Sequence, residues 1–73
     1  MQDYLDKYYN IIADNFKELR SKNNLSQEKF AERISCSREY VSRVENYKER
    51  LGLEMLLKIS FIFDVKPDYF FNK

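Results

Sequence analysis

The residues best suited to chemistry lie between Ser37 and Asn46. On a helix at roughly 100° per residue, with Arg38 at zero, Ser42, Asn46, Glu39 and Arg43 fall at about 40°, 80°, 100° and 140°. Ser37, Val41 and Val44 fall on the far side, between about 240° and 300°. Five polar side chains thus share one exposed stripe, backed by two valines. Their types suit the edges of base pairs: Arg donates to guanine, Glu accepts from the cytosine amino group, and Ser bonds either. The stripe begins at the N-terminal end of the helix, with Arg38 and Glu39, the part that enters a major groove. The same stripe on an isolated charged helix would be an ordinary solvated face, so its meaning depends on the framework around it.

That framework runs from Gln27 to Asn46. Ser26 is a good N-cap for a short helix whose inner face is Phe30, Ala31 and Ile34, although Lys29 stands where a capping box would carry Glu or Gln. The helix stops at Ser35-Cys36, and Ser37 caps the next, with Val41 and Val44 inside. Two short helices joined by a tight turn make a helix-turn-helix. Ala31 stands where the two axes come close and a larger side chain would push them apart. Upstream, Leu5, Tyr8, Ile12, Phe16 and Leu19 recur at three- and four-residue steps. They predict one long helix from Asp3 to Lys22, or two abutting ones, ended at Lys22-Asn23-Asn24. Downstream, Tyr47 to Leu51 reads as a charged loop. A fourth helix is expected from about Gly52 to Phe63, with Leu53, Leu56, Ile59, Ser60 and Phe63 inward, and Pro67 opens a brief fifth helix through Phe71.

Composition limits the alternatives. The chain has 73 residues, 44% of them hydrophobic, with six Phe and six Tyr, which is enough apolar material for one small core. One Gly and one Pro leave little turn chemistry for an all-β fold. Cys36 is the only cysteine, which excludes an internal disulfide and suits a reducing cytoplasm; with no His, no zinc ligand set can be assembled. No apolar run approaches a membrane span and the N-terminus does not read as a signal peptide. Paired carboxylates, Ser/His or Cys/His arrangements and Gly-rich phosphate loops do not arise, so neither an enzyme nor a cofactor is expected. Net charge is +1, which alone announces no nucleic-acid partner. The surplus lies between residues 17 and 50, where nine Lys/Arg face six Glu.

From Ile12 to Phe71 the chain resembles the Cro/CI-type (XRE-like) helix-turn-helix family of phage and bacterial repressors. The matching stretches are Ile12 to Arg20, Leu25-Ser26-Gln27, Phe30-Ala31, Ser37 to Asn46, Leu53 to Ile59 and Asp64 to Phe71, all in one register without insertion or deletion. The resemblance implies an all-α, compact five-helix lambda-repressor-like DNA-binding domain spanning residues 1–73, with residues 1–11 as an N-terminal helical extension. It also implies roles. Gln27 would bond a phosphate, and could bond the first recognition residue as well. Arg38, Glu39 and Ser42 would face bases, and Tyr40, Arg43 and Asn46 would meet phosphates or flanking bases. Ser37 and Lys48 are counted with this DNA-binding set. Glu39 could instead orient Arg38 or screen wrong bases. Arg20 would pair with Glu45, tying the first helix to the third. Two positions depart from the pattern: Ser35 and Tyr47 stand where the family usually, or often, has Gly.

The expected partner is double-stranded DNA, read by a homodimer on a palindrome. Phe61, Tyr69, Phe70 and Phe71 are the expected dimer interface, on the fourth and fifth helices, because so many large apolar residues in a small domain suggest a contact surface. A core enlarged to receive Tyr4, Leu5 and Tyr8 would use the same residues differently. The rival of another class is a protein-binding module, or an antitoxin-type protein, that uses the aromatic surface for a partner protein.

Overall fold

A computed structural model describes residues 3–72. It contains four α-helices, α1 (Asp3–Lys22), α2 (Gln27–Arg33), α3 (Arg38–Glu45) and α4 (Leu53–Phe63), and a closing 3₁₀ helix, Pro67–Phe71. The described residues include no strand. The expected fifth α-helix is therefore corrected to a 3₁₀ helix. Pro67 opens it with its restricted φ, and the Tyr69 N–H donates to the Lys66 carbonyl at 2.9 Å, the tighter i to i−3 closure. By Asn72 the backbone is extended again, so five residues leave no room for an α ladder.

Helix α1 is continuous, so the N-terminal extension is its first turns rather than a separate element. Ile12, Ala13, Phe16 and Leu19 are buried on one face. Toward the N-terminus this burial fades: Leu5 and Tyr9 are half-buried, and Tyr4 and Tyr8 are exposed. The expected inward stripe therefore ends near Tyr9: the core packs against α1 from Tyr9 onward, and the first two turns meet the rest of the fold through Arg50, which bonds Asp6. The helix stops at Asn24, which takes a left-handed φ of 58° while the Asn23 amide donates to the Leu19 carbonyl at 2.7 Å.

The two N-caps form as expected. Ser26 Oγ accepts from the Lys29 N–H at 3.1 Å, and Ser37 Oγ accepts from the Tyr40 N–H at 3.0 Å. Between them, Ser35 takes φ 58° and the Cys36 N–H closes on the Ala31 carbonyl at 2.9 Å. Tyr47 ends α3 at φ 63°, and Asp64 ends α4 at φ 56°. All four helix stops use a left-handed residue with a Cβ, and the one glycine caps the start of α4 instead. Asn and Asp tolerate that conformation, whereas Ser35 and Tyr47 each accept about 1–2 kcal/mol of backbone strain.

The core is built on Phe16, Phe30 and Phe70, all fully buried. Phe16 meets Phe30 edge to face at 5.1 Å, and Phe30 stacks on Phe63 at 5.2 Å. Ile34, Val41, Val44, Leu56 and Ile59 complete it, and Cys36 packs against it at the turn. Two expectations about the core are corrected. Leu53 is 67% exposed at the rim of an open groove, and Leu51, two residues earlier in the loop, is the residue that enters the core. Phe70, expected in a dimer interface, is 0% exposed: the 3₁₀ helix folds back on α1, and Asn15 Nδ2 donates to the carbonyls of Phe70 and Asn72.

Candidate nucleic-acid interface

Helices α2 and α3 pack on each other and leave the polar face of α3 outward. Arg38, Glu39, Arg43 and Asn46 are exposed on it, Ser37 is exposed at its cap, and Tyr40 and Ser42 are half-buried. Gln27 lies half-buried at the first position of α2.

A hydrogen-bond relay runs beneath this face. Arg20 on α1 holds the Glu45 carboxylate with both ends of its fork: Nε to Oε2 at 2.6 Å and Nη2 to Oε1 at 3.0 Å. Its third nitrogen, Nη1, donates to the Leu25 carbonyl at 3.0 Å. The same Oε1 accepts from Gln27 Nε2 at 3.0 Å, and Gln27 Oε1 faces Arg38 Nη1 at 3.4 Å, a long contact. Only 4% of the Glu45 side chain is exposed, so its charge is compensated by this geometry rather than by water. The relay fixes the roll of α3 against α1 and α2 and places Arg38 beside Gln27.

At the other end of α3, Arg43 Nε donates to Glu49 Oε1 at 2.8 Å. The Asn46 amide turns back on its own helix, donating to the Ser42 carbonyl at 2.8 Å, with Ser42 Oγ at 3.3 Å. It acts as a C-cap, and the donor expected to meet a phosphate is satisfied internally. Tyr40 packs against the core, and burial, with Glu49 as the next cause, raises its phenol above the usual value. Lys48 is exposed in the loop and has no ion-pair partner among the described residues. The structure thus joins Gln27 to Arg38 and leaves Ser37, Arg38, Glu39, Arg43 and Lys48 exposed and Ser42 half-buried, with Tyr40 and Asn46 more engaged with the protein itself.

Sequence reasoning missed Glu49, and for Asp14, Asp6 and Arg50 no role was foreseen. Tyr47 hydroxyl donates to Asp14 Oδ1, and Arg50 Nη2 to Asp6 Oδ1 at 2.9 Å. Arg43 and Glu49 are six residues apart across a helix end, a spacing that carries no periodic signal.

The apolar surface lies elsewhere. Leu53, Leu57 and Phe61 are exposed at four-residue steps along α4, Phe61 at 87%. Phe71 is exposed too and shares a groove with Tyr8 and Leu53. Tyr69 is half-buried: its hydroxyl donates to Glu18 at 3.1 Å and the Lys22 ammonium lies 4.7 Å over its ring.

Two short helices crossing through a tight turn, with a buried tie to the first helix and a polar outward face on the second, define a helix-turn-helix protein. The helix-turn-helix family model matches residues 16–70, and the chain belongs to that family, in its XRE-type branch. No curated protein matches the chain in sequence. Solved structures similar to it include two transcription-control proteins. One is a hypothetical transcription factor, NHTF, from Neisseria, at 25% identity and a TM-score of 0.80, over 89% of this chain and 75% of that one. The other is the restriction-modification controller protein C.AhdI from Aeromonas hydrophila, at 29% identity and a TM-score of 0.79, over 90% of this chain and 96% of that one. The protein is a DNA-binding transcription regulator and not an enzyme. No helix among the described residues is long and apolar enough to cross a membrane.

Proposed function

We propose that the protein represses transcription as a homodimer, placing α3 of each protomer in the major groove of a palindromic operator. The observation that carries this reading is the outward face of α3, where Arg38, Ser42 and Arg43 stand on a helix whose roll is fixed by the Arg20–Glu45–Gln27 relay. Arg38 and Ser42, with Glu39, are the proposed base readers; Gln27, Ser37, Tyr40, Arg43, Asn46 and Lys48 are the proposed phosphate and flanking contacts. Phosphate contacts set position and base contacts set sequence preference. With net charge +1 the non-specific attraction is weak, so discrimination rests on the base contacts.

The exposed α4 stripe of Leu53, Leu57 and Phe61, with Phe71 beside it, supports dimerisation. Two such helices about a two-fold axis meet grooves one turn apart, roughly 34 Å. Occupying that stretch of duplex blocks polymerase with no further activity required. The near end-to-end match to a restriction-modification controller favours control of such an operon as the setting.

The test is selection of bound duplexes from a random pool, repeated with Arg38→Ala and Ser42→Ala. A palindrome that loses preference at single positions in each variant supports the reading. A folded protein that enriches no duplex at low salt overturns it, and favours a protein partner on the aromatic face.

A further inference from the structure

The loop after α3 is tethered to α1 at two points, one near its start and one at its middle. Tyr47, at φ 63°, donates its hydroxyl to Asp14, across 33 positions in sequence. Arg50 donates to Asp6 at 2.9 Å across 44 positions, and its guanidinium lies 4.6 Å over the Tyr9 ring. A third tether, Arg43 to Glu49, joins the loop to α3 itself. Three of the four polar side chains between Tyr47 and Arg50 are therefore held, and the fourth, Lys48, points out unpaired among the described residues.

We infer that Asp6 and Asp14 are positioning residues for DNA binding: through Arg50 and Tyr47 they hold the loop that presents Lys48 and orients Arg43 at the end of the recognition helix. The inference rests on the DNA-binding reading above. The physical argument begins with the strained backbone at Tyr47. A tyrosine in the left-handed region is held there only when its surroundings over-determine it, and the bond to Asp14 is one such constraint. That bond, with the Asp14 charge, raises the Tyr47 phenol, so the donor keeps its proton well above neutral pH. Arg50 is fixed between a carboxylate and an aromatic face, a geometry its planar cation suits. A loop held this way binds a phosphate without first being ordered, which saves entropy on association. The tethers also give the exposed first turns of α1 a role that core packing does not.

Charge alone makes the opposite forecast. Asp6 and Asp14 are acidic, so deleting them should tighten binding of any protein to DNA if they acted only through the field. The experiment compares Asp6→Ala/Asp14→Ala, Tyr47→Phe and Asp3→Ala with wild type. The readouts are affinity for the selected duplex and for a scrambled one over a salt series, and hydrogen exchange of the free proteins. Ala favours helix at least as well as Asp, and the fraction folded is measured for each variant. The double variant is expected to bind the selected duplex about three- to tenfold more weakly, despite losing two negative charges, and Tyr47→Phe about threefold more weakly. Loss of the Lys48 phosphate contact should make the salt dependence shallower by about 0.9 in log–log slope per protomer. Amides of Lys48 and Glu49 should exchange faster in the double variant. Asp3→Ala, which removes a charge of the same helix without a tether, should bind as wild type or tighter. Double-variant binding equal to or tighter than that of Asp3→Ala overturns the inference while leaving the DNA-binding reading intact. A wild type that binds neither duplex overturns that reading and this inference with it.

Discussion

Removing Arg20 isolates a charge that the fold cannot hydrate. The Glu45 side chain is 4% exposed and the Arg20 side chain 15%. Arg20→Ala removes two of the three donors on that carboxylate and leaves only the Gln27 amide. Stranding one member of a buried pair costs about 3–5 kcal/mol. A domain of this size has a total stability of about 4–11 kcal/mol. Midpoints fall by about 4–8 °C per kcal/mol in domains this small, so a loss of at least about 12 °C is expected. The assay is urea and thermal unfolding followed by circular dichroism at neutral pH. Arg20→Met/Glu45→Met is the control, because a well-packed apolar pair removes both charges and should lie within about 2 kcal/mol of wild type. An Arg20→Ala loss below about 1 kcal/mol, the range of an exposed pair, would refute the reasoning. A double variant as unstable as the sum of its singles would refute it too. The folded double variant should still bind its duplex more weakly, since Gln27 loses the acceptor that holds it beside Arg38.

Three further outcomes are expected. Ser35→Gly should stabilise by about 0.5–1 kcal/mol, because glycine removes the strain of φ 58° and gives back part of that in unfolded-state entropy; denaturant midpoints check it. Phe70→Ala should lose about 3–5 kcal/mol, whereas Phe61→Ser should leave the isolated protomer within about 0.5 kcal/mol and weaken only self-association, read by light scattering over a dilution series. Burial first, then the hydrogen bond and charge of Glu18, push the Tyr69 phenol up to about 12 from the usual 10.0. The native state therefore holds this proton more tightly than the unfolded chain. Its contribution is whole below about pH 10 and is lost as pH rises through about 12, so Tyr69→Phe should flatten the alkaline fall in stability.

Most of the framework was legible from local patterns. The caps Ser26 and Ser37 each satisfy an N–H three residues ahead, and the stop at Asn24 needs only its own tolerance of positive φ. Phe30, Ala31, Ile34, Val41 and Val44 lie at spacings that put them on one side, and all are buried. The pairing of Arg20 with Glu45 followed from the family resemblance, and its bidentate geometry is in place. Expectations failed where a face needed a partner to cover it. Tyr8 and Leu53 keep the helical periodicity of core residues, but they line an open groove with Phe71 that no other element fills, and both remain exposed.

The sequence by itself determined where the helices start and stop, which of α3's faces is polar, and which chemistry that face offers. These depend on interactions within a few residues, which a linear pattern records. Only the tertiary structure decided which apolar residues are covered: Phe70 is in the core and Phe61 outside it, though both are phenylalanines near the C-terminus. It also decided the ties from Asp14 to Tyr47 and from Asp6 to Arg50, between side chains 33 and 44 positions apart. Such ties exist because α1 lies beside the loop, at Asp14 along the core and at Asp6 before it, a consequence of how four helices pack that no spacing in the chain encodes.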